Sequence, residues 1–179
     1  SRRGAQVRLR ERLFFWAGWL ALVISASPPL DGAAAHTLSA HMLQHELMMI
    51  IGGPLVAAGR PMIPGLWALP ASLRALPWWR AQPSLMVAAL LHAIAVWIWH
   101  APVLYEAAVL NEGLHAVQHA SFVITAGLFW WALLYGRYGR AAYGASALYV
   151  FVTMVHSGVL GAIFALSGSP FYALYAQRA

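Results

Sequence analysis

Long apolar stretches alternate along the chain with short segments that hold most of the charged residues. A helix needs about 20 mainly apolar residues to cross a bilayer core of about 30 Å. Stretches close to that length occur five times. The pattern therefore predicts an all-α fold, a polytopic transmembrane helical bundle that forms one domain. The predicted spans are residues 13–30, 34–58, 83–99, 114–135 and 145–166.

Prolines mark the expected end of the first span and a kink in the second. Pro28 and Pro29 follow the first apolar run, and Pro54 lies inside the second. A proline within a span is tolerated when neighbouring groups satisfy the carbonyl that it leaves without a donor. The first apolar run is also compatible with a cleaved signal peptide, with residues 24–26 as the cleavage site. An uncleaved first helix fits the charge distribution as well.

Composition supports a membrane protein rather than a soluble one. The chain is 61% hydrophobic and 9% charged, with a mean hydropathy of +0.66. Soluble domains contain about 25% charged residues. The net charge of +6 comes from eleven arginines against five acids. In a soluble protein this balance would suggest nucleic acid, whereas here the lipid bilayer is the expected partner and no nucleic acid is predicted.

The arginines predict the topology. If the N-terminus is cytoplasmic, the inner segments 1–12, 59–82 and 136–144 contain ten of the eleven arginines. Positive charge is retained on the cytoplasmic side, so this orientation is favoured. It makes the second and fourth spans parallel, both running from outside to inside. The Trp78-Trp79 pair of the second inner segment suits the membrane interface or a short surface helix.

Two matched histidine pairs suggest a polar site within this apolar chain. His41-Met42-Leu43-Gln44-His45 opens the second span, and His115-Ala116-Val117-Gln118-His119 opens the fourth. Histidines four residues apart share one face of a helix. Ionisable side chains within spans are costly and by default indicate function. Parallel spans would bring both pairs to the same depth, so we predict one site built between facing helices.

Copper is the metal that this site is expected to bind. Met48 extends the stripe of the first pair, and imidazole combined with thioether favours Cu(I). Ordinary core packing would also explain methionines at helical spacing. His92 is interpreted as a core residue that bonds a backbone carbonyl on the next helix. The predicted metal ligands are His41, His45, His100, His115, His119, His156, Met42 and Met48.

Several other chemistries are excluded or disfavoured. The chain has no cysteine, which excludes disulfides, iron–sulfur clusters and thiolate metal transfer. A zincin protease is disfavoured because Met49 stands where the second histidine of H-E-x-x-H would be. No catalytic residue is predicted, and the protein is not expected to be an enzyme. Gln44 and Gln118 are expected to orient the imidazoles, although interhelical bonding would explain them too.

Two alternatives use the same histidines. A b-type haem electron carrier would use the pairs as axial iron ligands, so haem is the alternative cofactor. A proton or ion pathway would be lined by histidines and glutamates.

Three ordered segments resemble one known family. They are SAHMLQHELMMIIGGPLVAAGRP, WHAPVLYEAAV and LHAVQHASFVITAGLFWWALLYG, followed by MVHSGVLGAIFALSGSPFYALYA. They resemble the CtaG family of cytochrome c oxidase assembly factors. The resemblance implies a multi-pass protein of the bacterial inner (plasma) membrane that helps to mature a haem–copper oxidase. Copper delivery to the oxidase is the implied role, with oxidase subunits as partners. The matching histidines are His41, His45, His100, His115, His119 and, in part of the family, His156.

The chain departs from the family pattern in three ways. Family members usually continue with further spanning helices, so a truncated or short copy is expected here. Glu46 stands where an apolar residue is commoner, and His36 and His92 have no place in the motifs.

Overall fold

The computed structural model describes residues 7–62, 83–136, 143–168 and 171–176, together with isolated positions between 65 and 72. These residues form helices and short connections, with no strand among them, which confirms the predicted all-α class. The helices are α1 (Leu9–Ser25), α2 (Pro28–His36), α3 (Leu38–Glu46), α4 (Gly53–Ala58), α5 (Leu85–Trp99), α6 (Pro102–Leu110), α7 (Glu112–Tyr135), α8 (Tyr143–Leu166) and α9 (Ala173–Ala176). A π-helical segment, Leu47–Gly52, joins α3 to α4.

Two of the described helices, α7 and α8, are long and apolar enough to cross a membrane. The number rises to four if α1 with α2, bent by 44°, and α5 with α6, bent by 75°, each form one span. This is a helical membrane bundle. The helical segment from α3 to α4 continues without interruption through residues 38–58. The predicted total of five spans, with the N-terminus in the cytoplasm, remains a prediction.

Helix boundaries differ in detail from the apolar pattern. Pro28 and Pro29 lie in the first turn of α2, where a missing backbone N–H costs nothing, rather than at the end of a longer α1. Residues 102–110 form α6, although the sequence predicted only an outer connection there. The Trp78-Trp79 pair lies outside the described residues.

Glycines let α1 and α4 approach closely in an antiparallel arrangement. A Cβ added to Gly18 would lie 2.6 Å from the backbone nitrogen of Val56, and one added to Gly59 would lie 2.6 Å from the Cβ of Phe15. Small residues permit such contacts between membrane helices, where dispersion depends on close approach. The packing of α1 against the second predicted span therefore depends on these positions.

The segment from α3 to α4 runs parallel to α7. The ring centroids of His41 and His115 are 5.3 Å apart, and further along both segments Tyr135 donates its hydroxyl to the carbonyl of Ala58 at 3.2 Å. Contacts occur in the same order along both segments, so they run in the same direction, as the topology predicted. Both histidine pairs consequently lie at one level of the bundle.

The π-helical segment accommodates Pro54. In a π-turn the N–H of residue 54 would bond the carbonyl of Met49, but proline has none. Trp130 of α7 fills this gap, because its indole N–H donates to the Met49 carbonyl at 2.9 Å. The kink expected at Pro54 stays a prediction, whereas the π-helical segment is a local departure from α-helical geometry. A neighbouring helix satisfies the freed carbonyl, as predicted.

We expect Trp130→Phe to destabilise the protein by about 1–3 kcal/mol, because it leaves the Met49 carbonyl without a donor in an apolar setting. The free energy of unfolding, measured by denaturing-detergent titration and circular dichroism, would report the loss. Trp97→Phe is the matched control, since Trp97 is 40% exposed on α5. Equal stability of the two variants would contradict this role for Trp130.

Two apolar clusters attach α5 and α8 to α7. Leu85 and Ala88 pack against Phe129 and Ala132. Val96, Phe122 and Leu160 form the second cluster. Leu160 is the one buried residue among those described in α8, so most of the remaining α8 surface is available to lipid.

Candidate metal centre

Four histidines converge where α3 meets α7. His41 and His45 come from α3, and His115 and His119 from α7. One ring nitrogen of each lies within 4.8 Å of the corresponding nitrogen of every other. The ring centroids are 4.4 Å apart within the first pair and 4.1 Å within the second. We call these residues the four-histidine cluster, and one metal ion could contact all of them.

Each histidine of this cluster has at least one buried ring nitrogen that lacks a hydrogen-bond partner among the described residues. Nε2 of His41, His115 and His119, and both nitrogens of His45, are buried and unbonded among the described residues. A buried polar atom without a partner costs about 1–3 kcal/mol, and native proteins contain few of them. A cation that accepts these lone pairs would satisfy them together. The donor set therefore fits a metal ion.

His41 has the second hydrogen bond that is typical of a ligating histidine. It bonds the backbone carbonyl of Ala34 on α2, and because Nε2 is the unbonded atom, Nδ1 is the donor. Such a bond fixes the tautomer and directs the other nitrogen's lone pair away from the carbonyl. Helix α2, which the sequence did not predict as a separate helix, therefore helps to orient the His41 ring.

Gln44 holds the helices around the cluster rather than orienting an imidazole. Its side-chain amide donates to the Ser25 carbonyl at 2.8 Å and to the Asp31 carboxylate at 3.0 Å. Asp31 also lies close enough to His115 and His119 to interact with their charge. Asp31 is thus a nearby countercharge that sequence reasoning missed, because its relation to the histidines depends on the α1–α2 bend.

With this geometry in view, comparison with known proteins identifies the family. A family model described as cytochrome c oxidase caa3 assembly factor matches residues 1–179. The chain belongs to this family. The resemblance expected from the histidine motifs is thereby confirmed. Neither a curated protein nor a solved structure gives a significant match.

Of the remaining predicted ligands in this assembly factor, His100 lies beside the cluster. Its ring centroid is 5.6 Å from that of His45, but its nitrogens are not among the converging group. His156 lies on α8, also outside that group. Met48 is buried within the π-helical segment, and Met42 lines a cavity beside His45. Metal ligation by these four residues remains a prediction.

His92 is buried in the assembly factor, but its partner differs from the expected backbone carbonyl. Its Nδ1 bonds the Thr125 hydroxyl at 3.0 Å on α7, and its ring stacks on Phe129 with centroids 6.0 Å apart. Gln118 is fully buried, and neither its amide nitrogen nor its oxygen has a partner among the described residues. The expectation that Gln118 orients an imidazole thus finds no matching hydrogen bond.

Proposed function

We propose that this assembly factor binds copper at the four-histidine cluster and delivers it to a subunit of the cytochrome c oxidase that it helps to assemble. Copper is the cargo on this proposal, and the protein is not a catalyst. The observation that supports the proposal is the convergence of four imidazoles with ring nitrogens within 4.8 Å of one another, each imidazole having a buried nitrogen without a hydrogen-bond partner among the described residues.

The donor set suits transient binding of copper. Imidazole is a good ligand for copper, zinc, iron and nickel, so the family's association with an oxidase favours copper among them. A set of neutral imidazoles releases an ion more readily than a closed thiolate cage does. Tyr105 and Phe122, both fully buried, flank the cluster with ring centroids 5.0 Å from His41 and 4.7 Å from His45. These two rings limit the access of water to the cluster.

The ring contacts support a single ion over haem. A haem with two axial histidines needs a flat gap between them for the porphyrin. Here the imidazoles contact one another both within each helix and between helices, with centroids 5.3 Å apart for His41–His115 and His45–His119. A porphyrin would have to separate α3 from α7. The haem alternative therefore gains no support from this packing.

The proposed topology places the cluster toward the outer side of the membrane. Both pairs lie near the N-terminal ends of α3 and α7. With the N-terminus in the cytoplasm, these ends face outward. Copper that reaches the inner membrane from outside the cytoplasm would then meet the cluster first.

An absorption spectrum followed by elemental analysis of the same detergent-purified sample tests the proposal. We expect at least about one copper per chain, and no Soret band. A Soret band without copper would indicate the haem carrier instead. Protein that stays metal-free and colourless after incubation with Cu(I) would also contradict the proposal.

A further inference from the structure

A cavity of about 370 Å³ adjoins the four-histidine cluster and is enclosed by α3, the π-helical segment, α5, α7 and α8. Its lining contains both nitrogen and sulfur donors. His45 belongs both to the cluster and to the cavity lining. The other nitrogen and sulfur donors in the lining are His92, His100, Met42, Met49 and Met154, and Glu46 adds a carboxylate.

Two histidines of this lining, His92 of α5 and His100 at its C-terminal cap, lie about 12 Å apart along the helix axis, and each has a fixed tautomer. His100 is the one beside the cluster, with its ring centroid 5.6 Å from that of His45. His100 donates Nδ1–H to the carbonyl of Val96 at 2.6 Å. The Thr125 hydroxyl donates to the Ser121 carbonyl at 2.8 Å, so it accepts from Nδ1–H of His92 at 3.0 Å. In both rings the Nε2 lone pair is therefore left for another partner. Histidines that ligate metals typically have such a bond on the opposite nitrogen.

The methionines come from three different segments, α3, the π-helical segment and α8. Met154 is 67% exposed although it lines the cavity, so the cavity reaches the bilayer-facing surface beside α8. Methionines used only for packing would fill the space between helices, whereas here they border an open volume. Thioether sulfur selects Cu(I), and π-helical turns occur frequently at functional sites.

His45 connects the two regions. Both of its ring nitrogens are buried, and neither has a hydrogen-bond partner among the described residues. One nitrogen belongs to the group of four, and the ring also borders the cavity, with its centroid 5.6 Å from that of His100. A neutral imidazole offers one lone pair at a time, so the ion would stay on His45 while Nε2 of His100 replaces a histidine of the cluster. This exchange changes no oxidation state and transfers no proton.

We propose that the cavity holds a second Cu(I) site, built from His100 and methionine sulfur, which receives the ion from the four-histidine cluster through His45. The inference rests on the proposed function, because the cluster is its source of copper. The opening beside Met154 would then present the ion within the membrane, at the surface where a membrane-embedded acceptor could dock.

Competition titration of the purified full-length protein with a Cu(I) chelator tests the second site. We expect about two Cu(I) ions per chain in the unaltered protein, and sulfur scattering in its copper X-ray absorption spectrum. Met49→Leu with Met154→Leu should remove one ion and the sulfur signal. Both changes conserve apolar volume, and neither residue belongs to the cluster. Met86→Leu, at a methionine 61% exposed on α5 and outside the cavity lining, is the control.

The outcomes separate this inference from the proposed function. One ion per chain, lost on changing His41 and His119 but unaffected by the methionine changes, would overturn the second site and leave the cluster. No bound Cu(I) in any variant would overturn both. His100→Ala offers an independent check, and it should also lose the second ion while retaining the first.

Discussion

Replacing His41 and His119 together with alanine should lower the affinity for copper by more than about 100-fold. Loss of an outer hydrogen-bond partner of a metal ligand alone costs about 10–100-fold, and this variant loses one ligand from each helix. The four converging nitrogens would be reduced to two. Copper retained after dialysis against a chelator, measured by elemental analysis, gives the comparison with the unaltered protein.

The double variant should remain folded. It loses the bond from His41 to the Ala34 carbonyl, worth about 0.5–1.5 kcal/mol. It loses no bond at Nε2, because that atom has no hydrogen-bond partner in either histidine among the described residues. His36→Ala is the matched control, because His36 is exposed at the end of α2 and lies outside the converging group. Copper retention that is the same in the double variant and the control would exclude the four-histidine cluster as the binding site.

Replacing Gly18 with valine should destabilise the protein by about 2–3 kcal/mol, since overpacking a close contact typically costs about 1–3 kcal/mol. The added Cβ would lie 2.6 Å from a backbone atom of Val56, and a backbone cannot rotate away as a flexible side chain can. Helix α1 would have to separate from α4. The midpoint of a denaturing-detergent titration, followed by circular dichroism, measures the effect.

Gly127→Val is the control for Gly18, because a Cβ at Gly127 meets nothing within 4 Å. Both variants place the same β-branched residue within a helix. If both lost the same stability, the cause would be helix propensity, and close packing of α1 on α4 would be the wrong explanation. A reduced copper affinity in Gly18→Val alone would further indicate that α1 supports the cluster, through the bond between Gln44 and Ser25.

Much of the site could be predicted because its residues repeat at short spacing. Histidines four residues apart must share a helical face, and the arginine distribution made the two spans parallel, so the meeting of His41 with His115 followed from local rules. Pro54 likewise predicted a distortion and a neighbouring donor. These inferences needed only helix periodicity and the high cost of unsatisfied polar groups in a membrane.

The residues that sequence reasoning missed act through contacts between distant segments. Asp31 approaches His115 and His119 because α1 and α2 are bent by 44°. His92 is the core residue that the sequence predicted, but its partner is the hydroxyl of Thr125, 33 positions away on a different helix, rather than a backbone carbonyl. No local pattern relates these residues, since their separation depends on which helix faces pack together.

The sequence by itself determined the membrane-helix class, the family and the two histidine pairs, because apolar length and residue spacing are local properties. The tertiary structure decided which ligands converge, placing four histidines together and His156 outside them. It also decided that His45 lies between the cluster and a methionine-lined cavity. Cavities and converging lone pairs arise from the packing of several helices, so only the folded arrangement determines them.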